Sequence, residues 1–121
     1  MTLVTLDHIQ LALRPGQEAA MRAFWIDLLG CAEIEKPEAL AGRGGFWVQG
    51  PLPIHFGLAA NHPGSPKAHP AFVVADLEAL AARLEAAGVP VRPDAPFDGR
   101  ARFFATDPAG NRVEFLQQAA P

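Results

Sequence analysis

The sequence predicts an α+β fold made of two successive β-α-β-β-β modules, and three observations carry that prediction. The chain shows one plan twice: an apolar run with a histidine, a helical stripe ended by glycine, then short strands, the last with another ligand-type residue. The repeat is close in spacing, with His8 and His55 47 positions apart and His69 and Glu114 45 apart. Between the halves lies Asn61-His62-Pro63-Gly64-Ser65-Pro66-Lys67, the one linker-like stretch, rich in turn formers. The modules are therefore expected at about 1–60 and 68–119.

Residues 3–13 alternate as a strand should, with Leu6, His8, Gln10 and Ala12 on one face and Ile9, Leu11 and Leu13 on the other. Arg14-Pro15-Gly16 stops it. Met21, Phe24, Trp25, Leu28 and Leu29 recur at helical spacing, and Gly30 supplies a left-handed stop. Strands follow over 31–36, 45–50 and 54–59, with a polar, glycine-containing stretch between the first two. In the second half 69–75 reads as a strand and Asp76 as an N-cap. Leu77, Leu80, Ala81 and Leu84 line a helix ended by Gly88, and strands follow at 89–92, 101–105 and 112–117. Asp107-Pro108-Ala109-Gly110-Asn111 is a strong turn, in which Asp107 is expected to hold backbone.

One helix covers only one face of an open sheet. His8, His55, His69 and Glu114 belong to the other face, which must curl around something or meet a partner. Imidazoles and a carboxylate converging there are what a divalent metal needs. Glu114 lies between Val113 and Phe115, so enclosing it calls for a cation or hydrogen-bond partners. Without a metal, an arginine such as Arg102 or Arg112 would have to pair with it. Of Phe46 and Trp47 one should face the open side and the other the helix. His62 sits in the linker and is left out of the site.

Composition narrows the classes. With 121 residues the chain is most simply expected to form one compact unit, burying about two-thirds of its unfolded surface. Half the residues are hydrophobic and the net charge is −3 without like-charge blocks, which disfavours nucleic acid and acidic membranes as partners. No apolar run approaches a membrane span and the start lacks a signal-peptide pattern, so a cytoplasmic location is expected. The lone Cys31 fits a reducing compartment, and as a small residue after Gly30 it reads as packing.

The opening strand with His8, the segment FWIDLLG and the ending RFFATDPAGNRVEF resemble the vicinal oxygen chelate superfamily. That superfamily includes glyoxalase I, extradiol dioxygenases, fosfomycin-inactivating transferases and bleomycin-binding proteins. The resemblance spans nearly the whole chain. It implies a single glyoxalase-like domain over 1–121, whose mixed sheet curves into a cup with the helices outside. It also implies metal ligands at His8, His69 and Glu114, with His55 where glyoxalase I has a carboxylate. Zinc, nickel, cobalt, manganese and iron all fit such a set.

The function implied is Lewis-acid lyase, isomerase or transferase chemistry on a small substrate chelated through vicinal oxygens. Glu114 and His55 are the catalytic candidates, His55 as ligand or as base. Arg102 and Phe104 share the parity that relatives use for cavity residues, so Arg102 favours an anionic substrate. Relatives commonly pair, and a homodimer is expected. The alternatives are a metal-free drug-sequestering protein or a small iron-dependent dioxygenase. The chain has no Tyr, which disfavours chemistry that relies on a tyrosine hydroxyl.

Overall fold

A computed structural model describes residues 1–121 and divides them into two compact units, Met1–His62 and Pro63–Pro121. In the first, β1 (Ile9–Leu13) leads to α1 (Glu18–Arg22), which continues as a π-helical stretch over Ala23–Leu28. Then come β2 (Ala32–Ile34), a 3-10 helix (Glu38–Arg43), β3 (Phe46–Gln49) and β4 (Pro53–Leu58). The second unit repeats the plan with β5 (Ala71–Val74), α2 (Leu77–Ala86), β6 (Arg92–Phe97), β7 (Arg100–Thr106) and β8 (Arg112–Gln117). The sheet orders are β1-β4-β3-β2 and β5-β8-β7-β6, the same topology twice. In each, the first strand is parallel to the last and the other pairings are antiparallel. The α+β class and the two β-α-β-β-β modules are as the sequence predicted. No helix is long and apolar enough to cross a membrane.

Side-chain parity builds each core. In the first unit Phe46 pairs with Phe56 and Val48 with Ile54, and all four are buried beneath the helix with Met21, Phe24 and Trp25. The π-helical stretch, seen in the Leu29 N–H to Phe24 carbonyl bond of 3.1 Å, carries Phe24 and Trp25 side by side, both buried. Trp25 and Phe24 thus pack the core, as does Phe46, leaving Trp47 to the open face. In the second unit Phe103, Ala105, Val113 and Phe115 are buried, and Leu77, Leu80 and Leu84 bury the α2 stripe. The Asp76 carboxylate accepts the Ala79 N–H at 3.0 Å, the N-cap read from the sequence.

Several boundaries differ from expectation, each for a physical reason. β1 starts at Ile9, not residue 3. The parallel register pairs Ile9 with Ile54, so a further step would set His8 beside Pro53, which has no N–H to donate. Pro70 likewise precedes the start of β5 at Ala71. The strand expected at 89–92 forms at 92–97 instead, after Gly88 and the Val89-Pro90-Val91 connection. β6 carries Pro93 and Pro96, which only an edge strand tolerates, and its register shifts between Asp94 and Phe97. The polar stretch before β3 holds a 3-10 helix that propensity did not reveal.

Asp107 holds backbone as its turn suggested. It is 3% exposed, and its Oδ1 accepts the Ala109 and Asn111 N–H groups while its Oδ2 accepts the Asn111 amide. That turn fixes the start of β8 and so the placement of Glu114.

Candidate functional site

The helix-free face of each sheet carries the candidate ligands, and the pairing register shows how closely the duplication is kept. In the first unit one cross-strand row runs Gln10, His55, Trp47, Ile34. The corresponding row of the second runs Ala71, Glu114, Phe104, Arg92. His8 lies two residues before Gln10, and His69 two before Ala71. Period-two alternation therefore puts each early histidine on the face of the late ligand.

The side chains meet accordingly. The His8 and His55 rings stack at 4.1 Å, and His55 is stacked on its other neighbour Trp47 at 3.6 Å and 4°. Asp7 Oδ2 lies 2.8 Å from His8 Nδ1. In the second unit His69 Nε2 lies 3.1 Å from Glu114 Oε1, with the Phe104 ring edge-on to His69 at 5.0 Å. His8 and His55 are thus together within one unit, and His69 and Glu114 within the other.

Glu114 is nearly enclosed, at 6% exposure, and has the partners that burial demands. Besides His69 it receives Arg102 Nη1 at 3.3 Å. Arg102 shows the parity read from the sequence, with Phe103 in the core. Its guanidinium is also engaged by Asp94 Oδ2 at 3.5 Å and by the Ala95 carbonyl at 2.8 Å. Phe104 is buried, with Arg112 over its ring at 3.8 Å and Arg102 at 5.3 Å. His62 stays outside this cluster, its carbonyl accepting from Arg14.

The two nitrogens of His69 both face acceptors, Nδ1 toward the Lys67 carbonyl at 2.9 Å and Nε2 toward Glu114. A carbonyl cannot donate, so Nδ1 carries a proton. Nε2 then meets Glu114 Oε1 at 3.1 Å, a contact that a shared proton or a bound cation would satisfy. A ligating histidine commonly has its other nitrogen bonded to a carbonyl in this way. The donor chemistry fits a divalent ion. Within neither unit do three such side chains gather around one point.

The His55 pKa is lowered, first by burial, then by the neighbouring His8, against a smaller opposite pull from Asp7. A lowered folded pKa means that the unfolded chain binds the proton more readily. His55 therefore costs no stability above pH 6.5, and costs progressively more as pH falls below it. His55→Gln should flatten the pH dependence of urea midpoints between about pH 5 and 6.5. An unchanged slope would show that His55 is not held neutral. Burial also raises the Cys31 thiol pKa, which agrees with a packing role.

Sequence reasoning left one site residue open. Trp47 stands at the position equivalent to Phe104, and aligning the two late ligands, His55 with Glu114, would have identified it. In the first unit Trp47, His8 and His55 border a cavity of about 520 Å³ with Lys36, Leu40 and Arg43.

Comparison with known proteins follows the same line. A family model described as Glyoxalase/Bleomycin resistance protein/Dioxygenase superfamily matches residues 5–115. The crystal structure of a glyoxalase family protein from Bacillus anthracis is 37% identical, with a TM-score of 0.90 and 98% of each chain covered. Lactoylglutathione lyase from Agrobacterium tumefaciens is 20% identical with a TM-score of 0.72, covering 97% of this chain and 96% of that one. The fosfomycin resistance protein FosX from Listeria monocytogenes is 17% identical with a TM-score of 0.78, covering 98% and 96%. Those two show likeness of fold alone. A comparison with curated proteins finds no match. From the repeated topology, the paired ligand positions and the family match over 5–115, the chain belongs to the glyoxalase/bleomycin resistance protein/dioxygenase superfamily.

Proposed function

We propose that this chain is a metal-dependent enzyme in which His8, His69 and Glu114 hold a divalent ion and His55 serves as a fourth donor or as a base. The supporting observation is the register equivalence of the two modules, each bringing an early histidine against a late ligand. The set takes His8 from the first module and His69 and Glu114 from the second. Imidazole and carboxylate donors suit zinc, nickel, cobalt, manganese or iron. An ion bound there would polarise two vicinal oxygens of a small substrate as a Lewis acid.

The remaining work falls to the chain. His55, held neutral, accepts a proton from the substrate, while the Trp47 stack fixes its ring plane. The Lys67 carbonyl fixes the His69 tautomer, and Asp7 orients His8. Lyase, isomerase or transferase chemistry follows from these parts more readily than ring cleavage by iron and oxygen. The same reading includes a cytoplasmic location and a homodimer, the pairing supported by exposed apolar side chains at Leu3, Val4, Leu6 and Val73.

One observation favours a second reading, a metal-free binding protein. Arg102 already neutralises Glu114, as a site without metal would require. Elemental analysis of protein purified without added metal separates the two. About one ion per chain is expected, lost when His8 and His69 are both replaced by Ala. A folded chain that takes up none of these metals on equilibrium dialysis would support sequestration instead.

A further inference from the structure

Arginines on the open face of the second unit are not all matched by carboxylates. The ion pairs of the structure are His8–Asp7, Arg22–Glu33, His69–Glu114, Arg102–Asp94 and Arg102–Glu114. Arg92 and Arg112 are in none of them. Both line a cavity of about 490 Å³ together with Phe104, Thr106, Asp94 and Pro66. The register puts them on the Glu114 face, Arg92 opposite Phe104 and Arg112 opposite Thr106. Neither guanidinium is loose. Arg92 Nη2 donates to Thr106 Oγ1 at 2.7 Å, and Arg112 lies over the Phe104 ring at 3.8 Å.

The duplication supplies an internal control. At the positions equivalent to Arg92 and Arg112 the first unit carries Ile34 and Pro53, and opposite Pro53 it has Gln49 where the second has Thr106. The shared topology therefore forms without either arginine. Their presence is a departure that the fold does not require, and it concentrates positive charge in one cavity.

We infer that Arg92, Arg112 and Thr106 form a subsite for the phosphate group of a small substrate, beside the His69–Glu114 pair. The inference rests on the proposed function for its substrate, but its residues are separate from the proposed ligands. The number of donor groups selects the anion. Asp94 faces the same cavity, and Asp94 and Glu114 share the one guanidinium of Arg102, so neither carboxylate is left for Arg92 or Arg112. A phosphate monoester offers each of the two guanidiniums its own anionic oxygens, whereas a monocarboxylate spreads a single charge over two oxygens. Guanidinium forks present paired N–H donors to phosphate oxygens, and their fixed positions reduce the ordering cost on binding. The cavity is several times larger than a phosphate group, so an organic body has room beside Phe104.

The test is titration of the full chain, treated with chelator so that phosphate cannot bind a metal, with inorganic phosphate and separately with acetate. Saturable phosphate binding in the ~mM range is expected, with acetate about tenfold weaker. Arg92→Gln and Arg112→Gln should each weaken phosphate about tenfold, and the double variant should abolish saturation. Circular dichroism checks that the variants fold. Should the glutamine variants unfold, Arg92→Lys and Arg112→Lys keep the charge but lose the fork, and a several-fold weakening is still expected.

Acetate binding as tight as phosphate would overturn the subsite. So would phosphate binding that the folded variants leave unchanged, or no saturation by ~50 mM. Metal content, measured in parallel, is expected to stay at the wild-type level in all these variants. Phosphate binding without any metal uptake would sink the metal reading alone, and metal uptake without phosphate binding would sink the subsite alone.

Discussion

Phe56→Ala should lower the unfolding free energy by about 3–5 kcal/mol, the range for deleting a fully buried aromatic side chain. Phe56 is 1% exposed, stacked on Phe46 at 4.7 Å and tilted against Trp25 at 5.4 Å. Its ring joins the middle strands to the helix, so removal leaves a cavity walled by two rigid aromatics that cannot collapse into it. A domain of this size is stable by about 5–15 kcal/mol, so the loss is a large share of the whole. His55, next along β4, faces the other way. Phe56→Leu keeps most of the apolar volume and should cost much less. Urea denaturation of both variants gives the comparison. A loss below about 1 kcal/mol for Phe56→Ala would mean that the first unit does not depend on this packing.

What could be read from the sequence follows from which signals are local. Met21, Phe24 and Trp25 declared a buried stripe by spacing alone, and Asp76 and Gly88 marked the ends of α2, because capping and periodicity are local. The π-helical widening over Ala23–Leu28 was hidden, since it depends on how Phe24 and Trp25 are accommodated against the sheet. β6 was misplaced because its sequence, RPDAPF, has neither alternation nor a buried face. A better signal lay beside it. Asp98-Gly99, both at positive φ, is the two-residue hairpin turn that joins β6 to β7.

The candidate ligands were legible because a period of two places residues on a face without knowledge of their neighbours. Charge pairing was harder, since it depends on register across strands. Arg102, Arg92 and Arg112 look alike in sequence. Only the pairing of Asp94 with Arg102, and of Phe104 with Glu114, shows which guanidinium is matched and which two are not.

Glu114→Gln should reduce metal affinity by at least ~100-fold while leaving the chain folded, if Glu114 is the carboxylate ligand of the proposed site. The amide keeps the size of the side chain and can still accept from Arg102, so the burial that encloses Glu114 stays filled. What changes is charge. A neutral carbonyl is a far poorer donor to a divalent cation than a carboxylate, and metal affinity depends on deprotonated ligands. The change also leaves Arg102 paired with Asp94 alone. Arg102→Gln is therefore the necessary control, because it removes the cation that competes for Glu114 Oε1 without touching any proposed ligand. Metal affinity in that variant should be equal to or higher than in the parent chain. Competition against a chelating dye at pH 7.5 reads both constants, with circular dichroism confirming the fold. Glu114→Gln binding metal as tightly as the parent would remove Glu114 from the ligand set. A loss of metal in Arg102→Gln equal to that in Glu114→Gln would mean that the pair holds the open face in shape and that neither residue ligates directly.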